Sequence, residues 1–166
     1  MLLLLWFSPS ETREITPHSA PNSVGTSKRI FAATTGLQSN CVEAHAIEAI
    51  LAIEKLRHQV GPHLLISEIR TIAADDLWMS TAYKRESVAI HFTWKQDWPA
   101  VSKLLPEIER NLAPFEPRPH WGKLFTMSPK ELRSRYERLP EFVALAKELD
   151  PNGKLRNKFL LLNIFD

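Results

Sequence analysis

The sequence lacks the motifs that mark several common classes of enzyme. Its 166 residues include only five glycines, none in a GxGxxG or GxxxxGK[ST] pattern, which excludes a recognisable dinucleotide or phosphate loop. Neither HExxH nor GxSxG occurs. The single cysteine, Cys41, excludes an intramolecular disulfide and a cysteine-based metal site. We predict no metal site, and we expect any cofactor to be supplied by another segment.

The sequence also has neither a large net charge nor a long apolar run. A formal net charge of +2 is too small to predict binding to nucleic acid. The apolar start, residues 1–7, is far shorter than the roughly 20 residues of a transmembrane helix. We therefore expect one domain, no transmembrane segment and a cytoplasmic location. Residues 1–35 follow no period of 2 or 3.6 for most of their length and are predicted to be an irregular lead-in.

Hydrophobic periodicity predicts the order β-α-β-β-α followed by short helices. This order favours an α+β fold, in which helices pack on one face of a mixed or antiparallel sheet. The predicted elements are a weak strand at 29–38, a helix at 42–60, strands at 63–72 and 87–94, a helix that begins at Asp97, short helices from Ser128 and at 139–149, and a last strand or turn at 159–165.

Two of these strands carry polar side chains at alternate positions. Glu68 and Arg70 share one face of the first strand, and His91 and Thr93 share one face of the second. A charged pair in an otherwise apolar strand is typical either of a solvated edge strand or of a strand that faces a pocket. A lone strand histidine is more often structural, although its neighbour Thr93 lies on the same face.

Residues 118–125 are predicted to form a non-helical segment that contains proline, glycine, histidine, tryptophan and lysine. Pro117 and Pro119 favour extended backbone, and Gly122 permits a tight turn. The segment would hold His120 and Lys123 in fixed positions. The alternative is a buried Trp121 with polar neighbours at the surface.

Four segments occur in an order that points to a family. They are residues 66–78, 88–94, 118–123 and 150–157. Together they resemble the C-terminal part of the flavin-dependent sugar-alcohol and aldonolactone oxidases, and most of all the bacterial alditol oxidase type. The group also includes gulonolactone and arabinonolactone oxidases and belongs to the vanillyl-alcohol-oxidase type of flavoproteins.

The resemblance implies a domain organisation and a function. It covers residues 36–166 and matches the substrate (cap) domain, so the FAD-binding N-terminal domain is expected to be absent from this chain. The chain would then be the substrate-binding half of an oxidoreductase acting on CH–OH groups of polyols or aldonolactones, inactive alone. Hydride would pass to flavin N5, with oxygen as the acceptor, and another chain could supply the FAD-binding domain. The alternative is a non-catalytic remnant or interaction module that keeps the fold.

The resemblance also assigns roles to residues. Glu68, Arg70, Thr93 and His120 would bind substrate, and His91 would take the hydroxyl proton. Arg70 would place positive charge near the flavin, so that it counts as catalytic together with His91 and Lys123. Lys123 and His120 would lie near the cofactor.

Overall fold

A computed structural model of the protein describes residues 36–165. Expectations for residues 1–35 lie outside the described part of the chain. The strands are β1 (Gly36–Val42), β2 (Leu64–Ile72), β3 (Ser87–Trp94) and the short β4 (Arg118–Pro119). The helices are α1 (Ala46–Glu54), α2 (Arg57–Val60), α3 (Trp98–Leu112), α4 (Pro129–Ser134), α5 (Leu139–Leu149) and α6 (Lys158–Leu160), and a π-helical turn, Leu161–Phe165, follows α6.

The four strands form one antiparallel sheet in the order β2-β3-β1-β4. Strand β3 is central, and seven of its eight residues are buried, with Thr93 the exception. The predicted α+β class is confirmed, and the sheet is antiparallel rather than mixed. Strand β2 occupies one edge, and β4 occupies the other.

The main core lies between the sheet and helices α1 and α3. Strand β3 contributes Val88, Ile90, Phe92 and Trp94, which alternate as period 2 requires. Helix α3 contributes Val101, Leu104, Leu105, Ile108 and Leu112, at the spacing of one helical face. Pro106 lies on the exposed side of α3, so that its ring points away from this core while the helix continues past it.

A second cluster of apolar residues lies among the C-terminal helices. Its buried members are Met127, Leu132, Tyr136, Leu139 and Ile164. Trp121 and Phe125 pack against it, so the 118–125 segment is anchored at two points along its length.

Some predicted elements differ from the observed ones. The predicted helix at 42–60 is interrupted, because Val42 still pairs with Ser87 in the sheet and Leu56 N donates to Ile53 O in a tighter turn. Residues 159–165 are helical rather than a strand, since the Asn157 side chain caps α6 by accepting from Leu160 N. Asp97 does precede α3, but its carboxylate contacts His63 Nδ1 at 2.8 Å instead of capping the helix. The predicted cap at Ser128 is confirmed, as its side chain accepts from Glu131 N.

A search of residues 36–165 finds no helix with the length and apolar content needed to cross a membrane.

The buried thiol of Cys41 gives a first prediction. Burial raises its pKa to about 12, so the unreactive thiol form persists far above neutral pH. We expect the folded protein to resist a thiol-specific reagent near neutral pH and to react once guanidinium chloride unfolds it. The variant Leu155→Cys, at a position 80% exposed, should react in the folded state. Rapid labelling of Cys41 in the folded wild-type protein would contradict its burial.

The second prediction compares two leucines. Leu112 is fully buried at the end of α3, whereas Leu149 at the end of α5 is 74% exposed. We expect Leu112→Ala to lower the free energy of unfolding by about 2–5 kcal/mol, because it leaves a cavity. Leu149→Ala should change it by less than about 0.5 kcal/mol. Urea denaturation followed by circular dichroism measures both, and equal losses would contradict the position of the core.

Candidate functional site

The register between β2 and β3 brings three of the predicted site residues together. Glu68 lies directly opposite His91 on the same face of the sheet. The Glu68 Oε2 to His91 Nδ1 distance is 2.8 Å, and Arg70 Nη2 donates to Glu68 Oε1 at 2.6 Å. Both oxygens of the Glu68 carboxylate therefore take part in hydrogen bonds. Arg70 lies on the same strand as Glu68, and His91 lies on the neighbouring strand.

These hydrogen bonds determine the protonation of the pair. The bonds from His91 and Arg70 lower the pKa of Glu68 below its usual value, so the side chain is a carboxylate at neutral pH. A carboxylate only accepts hydrogen bonds, and Nδ1 of His91 must therefore carry the proton. In the neutral ring, the lone pair is then on Nε2, which is the nitrogen available to act as a base.

The Nε2 atom of His91 lies in a confined place beside the start of β1. It is buried and has no hydrogen-bond partner among the described residues. A Cβ built on Gly36 would lie 3.0 Å from this nitrogen, 2.9 Å from Phe92 O and 3.5 Å from Lys123 Cδ. The stem of Lys123 and the free nitrogen of His91 therefore meet next to Gly36, where only glycine fits without displacement.

Lys123 is held there by backbone pairing along β1. His120 N donates to Gln38 O at 2.9 Å, and Leu124 N donates to Gly36 O at 2.7 Å. Between these two bonds the chain turns, with Lys123 N donating to His120 O at 3.0 Å. The 118–125 segment is thus a fixed, non-helical passage, as its prolines and glycine indicate.

Further hydrogen bonds and packing fix this segment at Trp121 and just after its last residue. Trp121 Nε1 donates to Met79 O at 2.9 Å, and the Trp121 ring packs against Tyr136 at 4.7 Å between centroids. At the far end, Thr126 N donates to the carboxylate of Glu109 on α3. The alternative interpretation of Trp121 is therefore also correct in part, since its half-buried ring anchors the loop that carries Lys123.

His120 lies close by but is arranged differently. Its Nδ1 accepts from Gly122 N at 3.0 Å, and burial together with the positive charge of Lys123 lowers its pKa. The ring is therefore neutral at neutral pH, with its proton on Nε2 as a hydrogen-bond donor. It borders a cavity of about 440 Å³ whose other lining residues are Leu77, Met79, Ser80, Thr81 and Trp121.

Thr93 marks the open end of this face of β3. It is partly exposed and pairs with Gly36 on one side and Ile66 on the other. Ser87 and Ala89, on the same face, are 0% and 1% exposed. On this face of β3, only the end that carries Thr93 and His91 is therefore available to a ligand.

Sequence reasoning missed two neighbours of the site. Gly36 was placed in a weak strand without a role, and Gln38 lies opposite His91 on the same face. An isolated glycine in a strand does indicate a close approach of another group, so that signal was present. Among the described residues, no group of three or more histidine, cysteine or acidic side chains is arranged to hold a metal ion.

The Glu68 carboxylate gives the third prediction. Because its pKa is lowered, its ion pairs contribute stability that is present above its unfolded pKa and is lost as the pH falls through its folded pKa. We expect His91→Ala to raise the pKa of Glu68 more than Arg70→Gln does, since the bond to His91 is the larger cause. Carbon-13 NMR titration of the side-chain carboxyl measures both shifts. Arg57→Gln, which removes the exposed pair with Glu54, should leave Glu68 unchanged, and an unchanged midpoint in all three variants would contradict the network.

Comparisons with known proteins identify the family. The profile described as D-arabinono-1,4-lactone oxidase matches residues 35–163. Alditol oxidase from Streptomyces sp. (strain IKD472 / FERM P-14339) is 49% identical over 117 residues, which are 70% of this chain and 28% of that protein. L-gulono-1,4-lactone dehydrogenase from Mycobacterium tuberculosis (strain CDC 1551 / Oshkosh) is 30% identical over 109 residues, 64% of this chain and 25% of that protein.

The similarity extends to animal proteins. L-gulonolactone oxidase from Mus musculus is 27% identical over 97 residues, which are 56% of this chain and 22% of that protein. The chain thus spans about a quarter of the length of these relatives. Since the profile covers more than half of the chain and includes every predicted site residue, this protein belongs to the D-arabinono-1,4-lactone oxidase family.

Proposed function

We propose that residues 36–165 form the substrate-binding part of an FAD-dependent oxidoreductase that acts on CH–OH groups of polyols or aldonolactones. The observation that carries this proposal is the Glu68–His91 pair, whose free nitrogen lies beside Lys123. The names of the relatives, alditol oxidase and gulonolactone oxidase or dehydrogenase, support the same substrate class. The flavin would be held mainly by a domain outside the described residues, in this protein or in a second chain.

The described residues fit a flavin and a carbinol substrate. His91 Nε2 is a buried basic nitrogen without a partner, and such an atom calls for a donor from a bound molecule. The substrate hydroxyl would be that donor. Lys123 and the Nε2–H of His120 supply positive charge and a hydrogen-bond donor on the neighbouring segment, where an electron-rich ring edge would be stabilised. Both residues are therefore proposed to contact the cofactor.

Oxidation of a carbinol requires removal of a proton and a hydride. When bound, FAD takes the hydride from the carbinol carbon. His91 Nε2 takes the hydroxyl proton, and the ring becomes an imidazolium. Glu68 stabilises that cation through Nδ1 and keeps the ring oriented, which is the role of the carboxylate in a histidine–carboxylate pair. Arg70 keeps Glu68 ionised and adds positive charge.

The same residues explain recognition of several hydroxyl groups. Glu68 can accept from substrate hydroxyls in addition to His91, since each carboxylate oxygen has more than one acceptor position. Thr93, at the open end of β3, can donate or accept. Arg70 is 53% exposed at its side chain and can donate to substrate oxygens with the nitrogens that do not contact Glu68.

The fourth prediction uses a chimera. The 117-residue segment of the Streptomyces alditol oxidase that matches this chain is replaced by the matching residues of this chain. We expect the chimera to retain flavin and to oxidise an alditol or an aldonolactone, measured as peroxide release and as reduction of an artificial electron acceptor. In the chimera, His91→Ala and Lys123→Met should each lower kcat/KM about 100-fold or more, while flavin absorbance is kept.

The chimera has a matched histidine control. His63→Ala changes a histidine whose partner is Asp97, outside the site, and should leave kcat/KM unchanged. The full chain alone, mixed with FAD and the same substrates, should neither retain flavin nor release peroxide. A chimera that binds flavin and lacks activity would favour a non-catalytic remnant, and an active chain without an added domain would contradict the assignment of a partial enzyme.

A further inference from the structure

Residues 150–157 are the one segment of the family resemblance that the proposed function does not use. They form a tight turn after α5, in which the Asp150 carboxylate accepts from Lys154 N at 2.8 Å and from Leu155 N at 3.0 Å. Gly153 has a φ of 65°, a conformation that residues with a side chain rarely adopt, so the turn favours glycine there. The sequence of this segment therefore determines the direction in which the chain leaves α5.

The turn leads directly into α6, which carries Phe159. Asn157 precedes this helix, and its side chain accepts from Leu160 N at 2.9 Å. Asn163, which is 5% exposed, donates from Nδ2 to Phe159 O at 3.0 Å. Hydrogen bonds before and after Phe159 thus fix the position from which its ring projects.

The ring of Phe159 packs against the segment that carries Lys123, on both sides of that lysine. It meets Trp121 edge-to-face, with 6.4 Å between centroids and 87° between planes. It meets Phe125 in the same way, with 5.9 Å and 75°. Aromatic rings attract each other in this geometry. Because Trp121 and Phe125 lie two residues before and two residues after Lys123, one ring joins the two ends of the turn.

From this arrangement we propose that Phe159 is a positioning residue, which holds Lys123 in place at the candidate site. By packing against Trp121 and Phe125 at once, its ring fixes the separation of these two residues and hence the course of the turn between them. Residues 150–157 act on the site through this ring. The consequence for catalysis rests on the function proposed above, whereas the packing itself does not.

The position of Lys123 depends on two backbone hydrogen bonds at this turn. Lys123 N donates to His120 O at 3.0 Å, and Leu124 N donates to Gly36 O at 2.7 Å. Residues 124–128 belong to no helix or strand, so no regular ladder of backbone bonds supports them. Packing from outside the turn therefore supplies stiffness that a regular element would otherwise provide. A displacement of about 1 Å in a catalytic group can lower the rate about 100-fold, so changes in this packing reach the chemistry.

The fifth prediction is a local loss of protection in the full chain. Phe159→Leu keeps most of the apolar volume but removes the ring that meets both aromatic neighbours. We expect the amides of Lys123 and Leu124 to exchange with solvent about fivefold faster or more, relative to the amides of β3. Hydrogen exchange followed by NMR measures these rates residue by residue, and the β3 amides report whether the fold as a whole is affected.

A second phenylalanine provides a matched control. Phe142 on α5 packs against the same cluster as Trp121 and Phe125, but among residues 36–165 it forms no aromatic pair with either. Phe142→Leu should therefore change the exchange of the turn and of β3 by the same factor. If Phe159→Leu also changed both by the same factor, its role would be general stability, and the proposal would be overturned.

The segment that leads to Phe159 is tested in the same way. Asp150→Ala removes the acceptor of two backbone N–H groups in the turn, so we expect it to reproduce the local loss of protection at Lys123 and Leu124. Combined with Phe159→Leu, it should add little to that loss, because the segment acts through the ring. Fully additive losses would contradict this link.

The consequence for catalysis is tested in an alditol oxidase chimera that carries residues 36–165 of this chain. Phe159→Leu should lower kcat about fivefold and leave KM for the alditol unchanged, because Lys123 is assigned to the cofactor whereas Glu68 and Arg70 are assigned to the substrate. In a Lys123→Met background, the same change should have no further effect on kcat.

The two experiments separate this inference from the proposed function. An inactive parent chimera would contradict the proposed function, and the exchange rates of the full chain would still decide whether Phe159 positions the turn. An unchanged kcat in an active chimera would overturn the inference while the proposed function stands. A further loss of kcat in the Lys123→Met background would overturn it too, since Phe159 would then act on the reaction by another route.

Discussion

The structure depends on the register between β2 and β3. Glu68 lies opposite His91 in this register, and the 2.8 Å contact between them decides which nitrogen of the imidazole is free. Because side chains in a strand alternate between faces, a slip of one residue would turn Glu68 and Arg70 toward the helices and leave His91 without a partner. The core residues of β3 determine the face on which His91 lies, because turning β3 over would take them out of the apolar layer formed with α3. The burial of the core thus determines the chemistry on the opposite face.

A second constraint is the close approach at Gly36. Strand β1 lies between β3 and the 118–125 segment, and it contributes a residue without a side chain at the place where His91 and Lys123 meet. Any larger residue would contact Phe92 O at 2.9 Å and would displace either the strand or the imidazole. Three parts of the structure therefore position the site residues. The sheet orients His91, the anchored segment carries Lys123, and Gly36 lets the two approach each other.

Part of the fold and of the candidate site could be predicted from the sequence, and the rest could not, for physical reasons. Strand β3 was predicted with its observed bounds, because eight residues alternate without interruption between the charged residues Glu86 and Lys95. The alternation of side chains along a strand was enough to predict the faces on which Glu68, Arg70, His91 and Thr93 lie. The pairing between the strands did not, since a bulge between Leu64 and Ile66 shifts the register and nothing in the local sequence specifies its position. The roles of the site residues come from the family resemblance, and they remain predictions.

The exposure of Glu68 completes the arrangement of the site. One oxygen of its carboxylate contacts the buried His91 at 2.8 Å, the other accepts from Arg70 at 2.6 Å, and the side chain is still 39% exposed. Side chains of a strand stand roughly perpendicular to the sheet, so this exposure means that the face above Glu68 is open among residues 36–165. Strand β3 therefore positions the carboxylate through His91 while the remaining acceptor positions of its oxygens stay accessible, which is what recognition of the proposed polyol or aldonolactone hydroxyls requires.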